Sequence, residues 1–98
     1  MNEPVRLIAR FIARPEQQEA LRETLKDLIE PTRRELGCLR YELWHNRSDS
    51  TDFTFIEEWA SEAALEAHSR TPHLAALFKT LFELGVAEPE VFKYTALE

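Results

Sequence analysis

Two stretches of alternating side chains, separated by six turn-forming residues, constrain this chain more than anything else in it. In CLRYELWHN (38–46), Leu39, Tyr41, Leu43 and His45 oppose Arg40, Glu42 and Trp44. In FTFIEEW (53–59), Phe53, Phe55, Glu57 and Trp59 share one face. A period of two is the signature of a half-buried strand, and RSDSTD (47–52) has the composition of a turn. Together they predict an antiparallel hairpin. The segments on either side change period. RPEQQEALRETLKDLIEPTRRELG (14–37) sets Leu21, Leu25, Leu28 and Ile29 at helical spacing. Pro15 suits the first helical position and Glu16 the first turn, Pro31 should kink or restart the helix, and Gly37 should stop it. SEAALEAHSRTPHLAALFKTLFELG (61–85) reads as a second helix with Ser61 as N-cap, broken at Pro72 and ended by Gly85.

The ends of the chain read as strands. In VRLIARFIA (5–13), Val5, Leu7, Ala9, Phe11 and Ala13 oppose Arg6, Ile8, Arg10 and Ile12, so neither face is fully wet. A last strand should run from about Val91 to Leu97. The order β-α-β-β-α-β is the split-βαβ plan, an α+β, ferredoxin-like fold in which helices cover one side of a four-stranded antiparallel sheet. One domain over residues 1–98 is expected. The other side of the sheet should carry Ile8, Ile12, Trp44, Ile56, Phe92 and Tyr94. An apolar face of that size calls for a partner, and a second copy of the chain, sheet against sheet, is the economical one. Alternation alone does not decide which of the two sets faces the helices.

The bulk numbers exclude several classes. The formal net charge of −6 speaks against a nucleic-acid partner and against attraction to anionic lipid. No stretch approaches the ~18 apolar residues of a membrane span, and MNEPVRLIAR lacks the basic and apolar regions of a signal peptide. A cytoplasmic location is expected. The basic cluster Arg33-Arg34, with Arg40 nearby, reads as a solvated helix end among acidic residues. The lone Cys38 can form neither an internal disulfide nor a cysteine-pair metal site, and reads as an inert small hydrophobe.

The chemistry-bearing residues collect where the third strand meets the second helix. Ala64, Leu65 and His68 share a helix face, so His68 should point toward the sheet. A lone histidine on such a face is commonly a satisfied core residue, as Trp59 is commonly core filling and Glu57, beside Glu58, a solvated strand end. His45 should be exposed near its loop, and His73 should shape the start of the second helical piece.

The runs EPTRRELGCLRYELW, FTFIEEWASEAALEAHSRTPH and PEVFKYTAL resemble the antibiotic biosynthesis monooxygenase domain, and within it the small quinol-monooxygenase-like proteins. The resemblance covers nearly the whole chain. It implies a dimeric α/β barrel with a pocket in each protomer between sheet and helices. It also implies oxidation of an electron-rich aromatic, such as a quinol or anthrone, by O2 without a metal, flavin or haem. Such a substrate must lose a proton to become a good electron donor, so the pocket needs a base, apolar walls and little water. The resemblance makes His68 the candidate base, with Glu57 orienting it or taking a proton itself. Trp59, Phe53 and Phe55 would stack on the ring, and Tyr41 would donate to a quinol oxygen. Haem-degrading relatives use an asparagine on the first strand, which VRLIARFIA lacks. Two other readings remain: an isomerase of a small phosphorylated keto sugar, with Arg10, Arg33 or Arg40 toward the phosphate, and a dimeric small-molecule-binding or stress-associated module without chemistry.

Overall fold

The central strand pairs β1 (Val5–Ile12) with β3 (Asp52–Trp59), antiparallel, setting Leu7 beside Glu57, Ala9 beside Phe55 and Phe11 beside Phe53. In this computed structural model, which describes residues 3–98, β2 (Cys38–His45) flanks β3 and β4 (Glu90–Tyr94) flanks β1. The sheet order is β2-β3-β1-β4, with every pairing antiparallel. Two-residue periodicity does its work on β3, where Phe53, Phe55, Glu57 and Trp59 are buried in alternation. The ferredoxin-like fold is therefore the one the alternating segments predict.

Four helices cover one side: α1 (Gln18–Lys26), α2 (Ile29–Arg33), α3 (Glu62–His68) and α4 (Pro72–Leu84). Both helical segments are divided, as their internal prolines predict. Before α1, Pro15–Gln17 forms a short 3-10 turn. The break between α1 and α2 lies at Asp27 and Leu28, not at Pro31 itself. A proline ring collides with the carbonyl four residues earlier, which here belongs to Asp27, so the chain loosens there and Pro31 sits inside the next helix. Ser61 caps α3 by accepting from the Ala64 N–H at 3.1 Å, and Gly85 ends α4 with φ +72°.

The tertiary structure decides the faces. Leu7, Ala9, Phe11, Tyr41, Phe53, Phe55 and Trp59 pack under the helices with Leu21, Leu25, Leu28, Leu65, Leu77 and Leu81. Ile12, Trp44, Phe92 and Tyr94 stand exposed on the other side, from 40% to 56% accessible. Two details depart from the alternating reading. A register shift between Cys38 and Arg40 makes Leu39 the extra residue of a bulge, so it is exposed instead of joining Tyr41. The last strand ends at Tyr94, not Leu97, because Tyr94 pairs with Arg6 and β1 begins one residue earlier.

One close approach joins the helix layer to the sheet's edge. Gly37 has φ +86°, and a Cβ built there would lie 2.6 Å from the Ala64 Cβ. The Gly37 carbonyl accepts from the Ala60 N–H at 2.8 Å. Only glycine satisfies both the left-handed backbone and the missing space. Gly37→Ala should lower stability by about 1–3 kcal/mol, the cost of a non-glycine residue in a strained conformation, read as a reduced urea midpoint at unchanged slope.

Candidate active site

Beneath α3 and α4 lies a cavity of about 210 Å³. Its walls are mostly apolar: Leu7, Ala9, Phe11, Phe55, Leu65, Leu74, Leu77 and Phe78 all contribute. Ala9 explains why there is room. It sits on the helix-facing side of the sheet between Phe55 and Val91, where a larger side chain would fill the space. Tyr41, Glu57, His68 and Ser69 supply the polar groups. Among the described residues, no lysine or arginine lines it.

Each polar group is held by its own element. Glu57 is buried on β3, and its Oε1 accepts the indole N–H of Trp59 at 2.9 Å, two residues along the same strand face. Burial raises the Glu57 carboxyl to about 7, with the Trp59 N–H opposing the rise and the Glu35 charge adding to it. His68, at the end of α3, is 4% exposed. Its ring lies 4.6 Å from the Trp59 ring and 5.8 Å, edge-on, from Tyr41. Burial lowers the His68 pKa, only partly offset by the neighbouring Glu35 carboxylate, so the ring is neutral near pH 7. Tyr41 stacks on Phe55 at 4.5 Å, and burial followed by the Glu57 charge pushes its hydroxyl far above the usual phenol range. It is a permanent donor at physiological pH.

The residues singled out from the sequence divide into two groups. Tyr41, Phe55, Glu57 and His68 meet at the cavity. Trp59 stands behind them, holding Glu57 and packing on His68, without reaching the cavity wall. Phe53 lies toward the other end of β3, stacked on His45 at 4.4 Å with the Arg22 guanidinium 5.6 Å above its ring. His45 is therefore half-buried, not exposed, and its Nε2 meets the Ser50 carbonyl oxygen at 2.8 Å.

Sequence reasoning missed Glu35. This residue follows α2, and its Oε2 lies 2.8 Å from Nδ1 of His68 and 2.6 Å from Nε2 of His73. Glu35 lies 33 residues from His68 in the chain and carries no pattern that separates it from the acids around it. His73, read as a helix-start residue, does lie in the first turn of α4, and it also faces this carboxylate.

The Glu57 shift has a sign that can be checked. Its folded-state pKa lies above its unfolded value, so its contribution to stability is complete below about pH 4.5 and is lost as pH rises through about 7. Glu57→Gln keeps an acceptor for Trp59 and removes the titration. The variant should gain on the parent between pH 5 and 8, by on the order of 2–3 kcal/mol, in parallel urea melts across that range. A difference that stays flat with pH would mean that the carboxyl is not held protonated by burial.

The chain as a whole is similar to known proteins. Residues 4–80 match the profile of the antibiotic biosynthesis monooxygenase family. A Mycobacterium tuberculosis protein named "Putative monooxygenase Rv0793" is 41% identical over 73 residues, covering 74% of this chain and 71% of its own. Its solved structure superposes with a TM-score of 0.90 at 33% identity, covering 98% of this chain and 97% of the other. The crystal structure of PA3566 from Pseudomonas aeruginosa superposes with a TM-score of 0.92 at 37% identity, over 100% of this chain and 98% of that one.

Proposed function

The chain belongs to the antibiotic biosynthesis monooxygenase family, and from that membership we propose that it is a monooxygenase that oxidises a small quinol or polyphenol with O2, the electrons coming from the substrate. The observation that carries this reading is the cavity: apolar walls closing on a neutral histidine, a half-ionised carboxyl and a protonated tyrosine. An engineered protein cavity of about 150 Å³ takes up benzene, so about 210 Å³ suits one ring or two fused rings.

The steps follow from the side chains. His68 accepts the proton of a ring hydroxyl, and the resulting phenolate is a far better one-electron donor than the phenol. The Tyr41 hydroxyl donates to the phenolate oxygen. Glu57 accepts from the second hydroxyl. Phe55, already stacked on Tyr41, packs on the ring. An electron passes to O2, the two radicals combine at a ring carbon, and the O–O bond breaks with release of water. A quinol and O2 thus give a hydroxyquinone and water. One oxygen atom enters the ring and the other leaves as water, and the substrate supplies all four electrons. Trp59 contributes by holding Glu57 and His68, not by touching the ring.

The phosphosugar reading gains no support from the cavity, because a phosphate in an apolar site needs a cation. Arg10 is paired with Asp52 and Glu90, the Arg33 Nε donates to the Tyr41 carbonyl oxygen at 3.0 Å, and Arg40 lies 3.6 Å from Glu42. The uncovered sheet face supports a homodimer. Trp44, Phe92 and Tyr94 expose about half of their surface there, as a surface between copies would in a single chain.

Two experiments check these statements. Menadiol mixed anaerobically with the protein and then given an O2 pulse should be consumed faster than in the blank. His68→Ala should reduce the enzymatic rate roughly 10²–10⁴-fold, and Ala9→Leu should abolish saturable turnover by filling the cavity. A rate equal to the blank for a panel of one-ring and two-ring quinols would favour the binding-module reading. For the dimer, light scattering at micromolar concentration should give twice the 11.5 kDa chain mass, and Tyr94→Asp should shift it toward the monomer. A parent protein that scatters at the chain mass would overturn the dimer.

A further inference from the structure

Glu35 and His73 lie outside the cavity, yet they bear on it through His68. Three imidazole and carboxylate groups from three parts of the fold converge: Glu35 after α2, His68 closing α3 and His73 opening α4. Both rings meet the same oxygen, Oε2 of Glu35. The corner between α3 and α4 is locked so that they can. Thr71 Oγ1 donates to the His68 carbonyl oxygen at 2.9 Å and accepts from the Leu74 N–H at 3.3 Å, which fixes the two histidines at the same carboxylate. The bare Gly37 lets the chain pass against Ala64 on the same side of α3, and so carries Glu35 within reach.

We propose that Glu35 and His73 are positioning residues that hold His68 in a single tautomer, with its proton on Nδ1 and its basic lone pair on Nε2. This rests on the reading of His68 as the base. A carboxylate oxygen only accepts, so the ring nitrogen facing it must carry a hydrogen. A neutral imidazole has one N–H. Placing it on Nδ1 leaves Nε2 bare, and among the described residues no group hydrogen-bonds to Nε2. Glu35 is absent from the cavity wall whereas His68 is part of it, so the ring edge turned away from Glu35 is the edge a ligand meets.

Without the carboxylate, the ring would divide between two tautomers and two orientations, and only one of those combinations presents a lone pair to the substrate. When Nε2 takes the phenol proton, the Nδ1–H stays on Glu35 and the imidazolium faces a carboxylate at 2.8 Å. His73 acts one step further out. It is partly exposed, and its Nε2–H donates to Oε2, tethering the carboxylate so that it cannot swing to solvent. The groups facing His68 from the packed elements are Glu35, His73, Tyr41 and Trp59, and of these only Glu35 accepts from its ring.

The test separates this inference from the reaction. Two-bond 15N–1H correlation spectra of the 15N-labelled protein at pH 7.5 report the tautomer of each histidine ring without any substrate. The Nδ1–H form is expected for His68 in the parent protein. The spectrum of Glu35→Gln should show a tautomer mixture, because an amide can donate or accept. The opposite tautomer in the parent, or a Glu35→Gln ring still wholly in the Nδ1–H form, would overturn the proposal whether or not a quinol is oxidised. Where menadiol turns over, Glu35→Gln should lower kcat roughly 10–100-fold with KM little changed, the scale of loss seen when the outer partner of a metal-bound histidine is removed. His73→Gln, which keeps an N–H donor, should retain most of the rate that His73→Ala loses. Equal losses in both His73 variants at unchanged melting temperature would show that the tether plays no part.

Discussion

Desolvation of three polar side chains is the constraint on which the rest of this structure depends. Glu57, His68 and Tyr41 are almost wholly buried in a layer otherwise built of leucine and aromatic residues. Burying a polar group costs free energy unless it finds a partner, so the carboxyl and the imidazole must each be met by something specific. Trp59 meets Glu57 and Glu35 meets His68. The partners constrain the backbone in turn. Trp59 must lie two residues from Glu57 on one strand face, and Glu35 must be brought in by a glycine that tolerates Ala64 against it. The same desolvation produces the chemistry. It brings a carboxyl to about 7, keeps an imidazole neutral and keeps a phenol protonated, with no lysine or arginine among the described residues of the cavity wall.

The sheet does two jobs with its two faces. The face under the helices carries Ala9 at its centre, and the missing side-chain volume there becomes the cavity. The other face carries Trp44, Phe92 and Tyr94 in the open, beside the Arg10 guanidinium held between Asp52 and Glu90. In a chain of 98 residues the helices on one side cannot also cover the other. A small domain buries only about 60–70% of the surface its unfolded chain exposes, and a second layer from a partner would raise that share.

The divided helices belong to the same economy. Continuous helices would carry their apolar stripes straight across the sheet. Breaks at Asp27 and Leu28 and ahead of Pro72 shorten them instead, and the ends of the pieces face the site: Glu35 follows the short α2, and His68 and His73 flank the corner between α3 and α4. No helix among the described residues is long and apolar enough to cross a membrane, in keeping with these short pieces.

Much of this was determined by the sequence alone. Periodicity is a local property, so the strict alternation in 53–59 and the leucine spacing in 21–29 were enough to place strands, helices and their order, and hence the ferredoxin-like plan. The small family-like runs around Glu57 and His68 were also legible, because they lie within a dozen residues of each other. Only the tertiary structure decided which alternating set lay under the helices, since both sets on β1 contain apolar residues and local pattern weighs them equally. It alone removed Phe53 and Trp59 from the cavity wall and left Phe55 there, because position along a strand relative to an overlying helix is set by packing between distant segments. And it alone brought Glu35 to His68 across 33 residues, through a glycine contact that no spacing rule encodes.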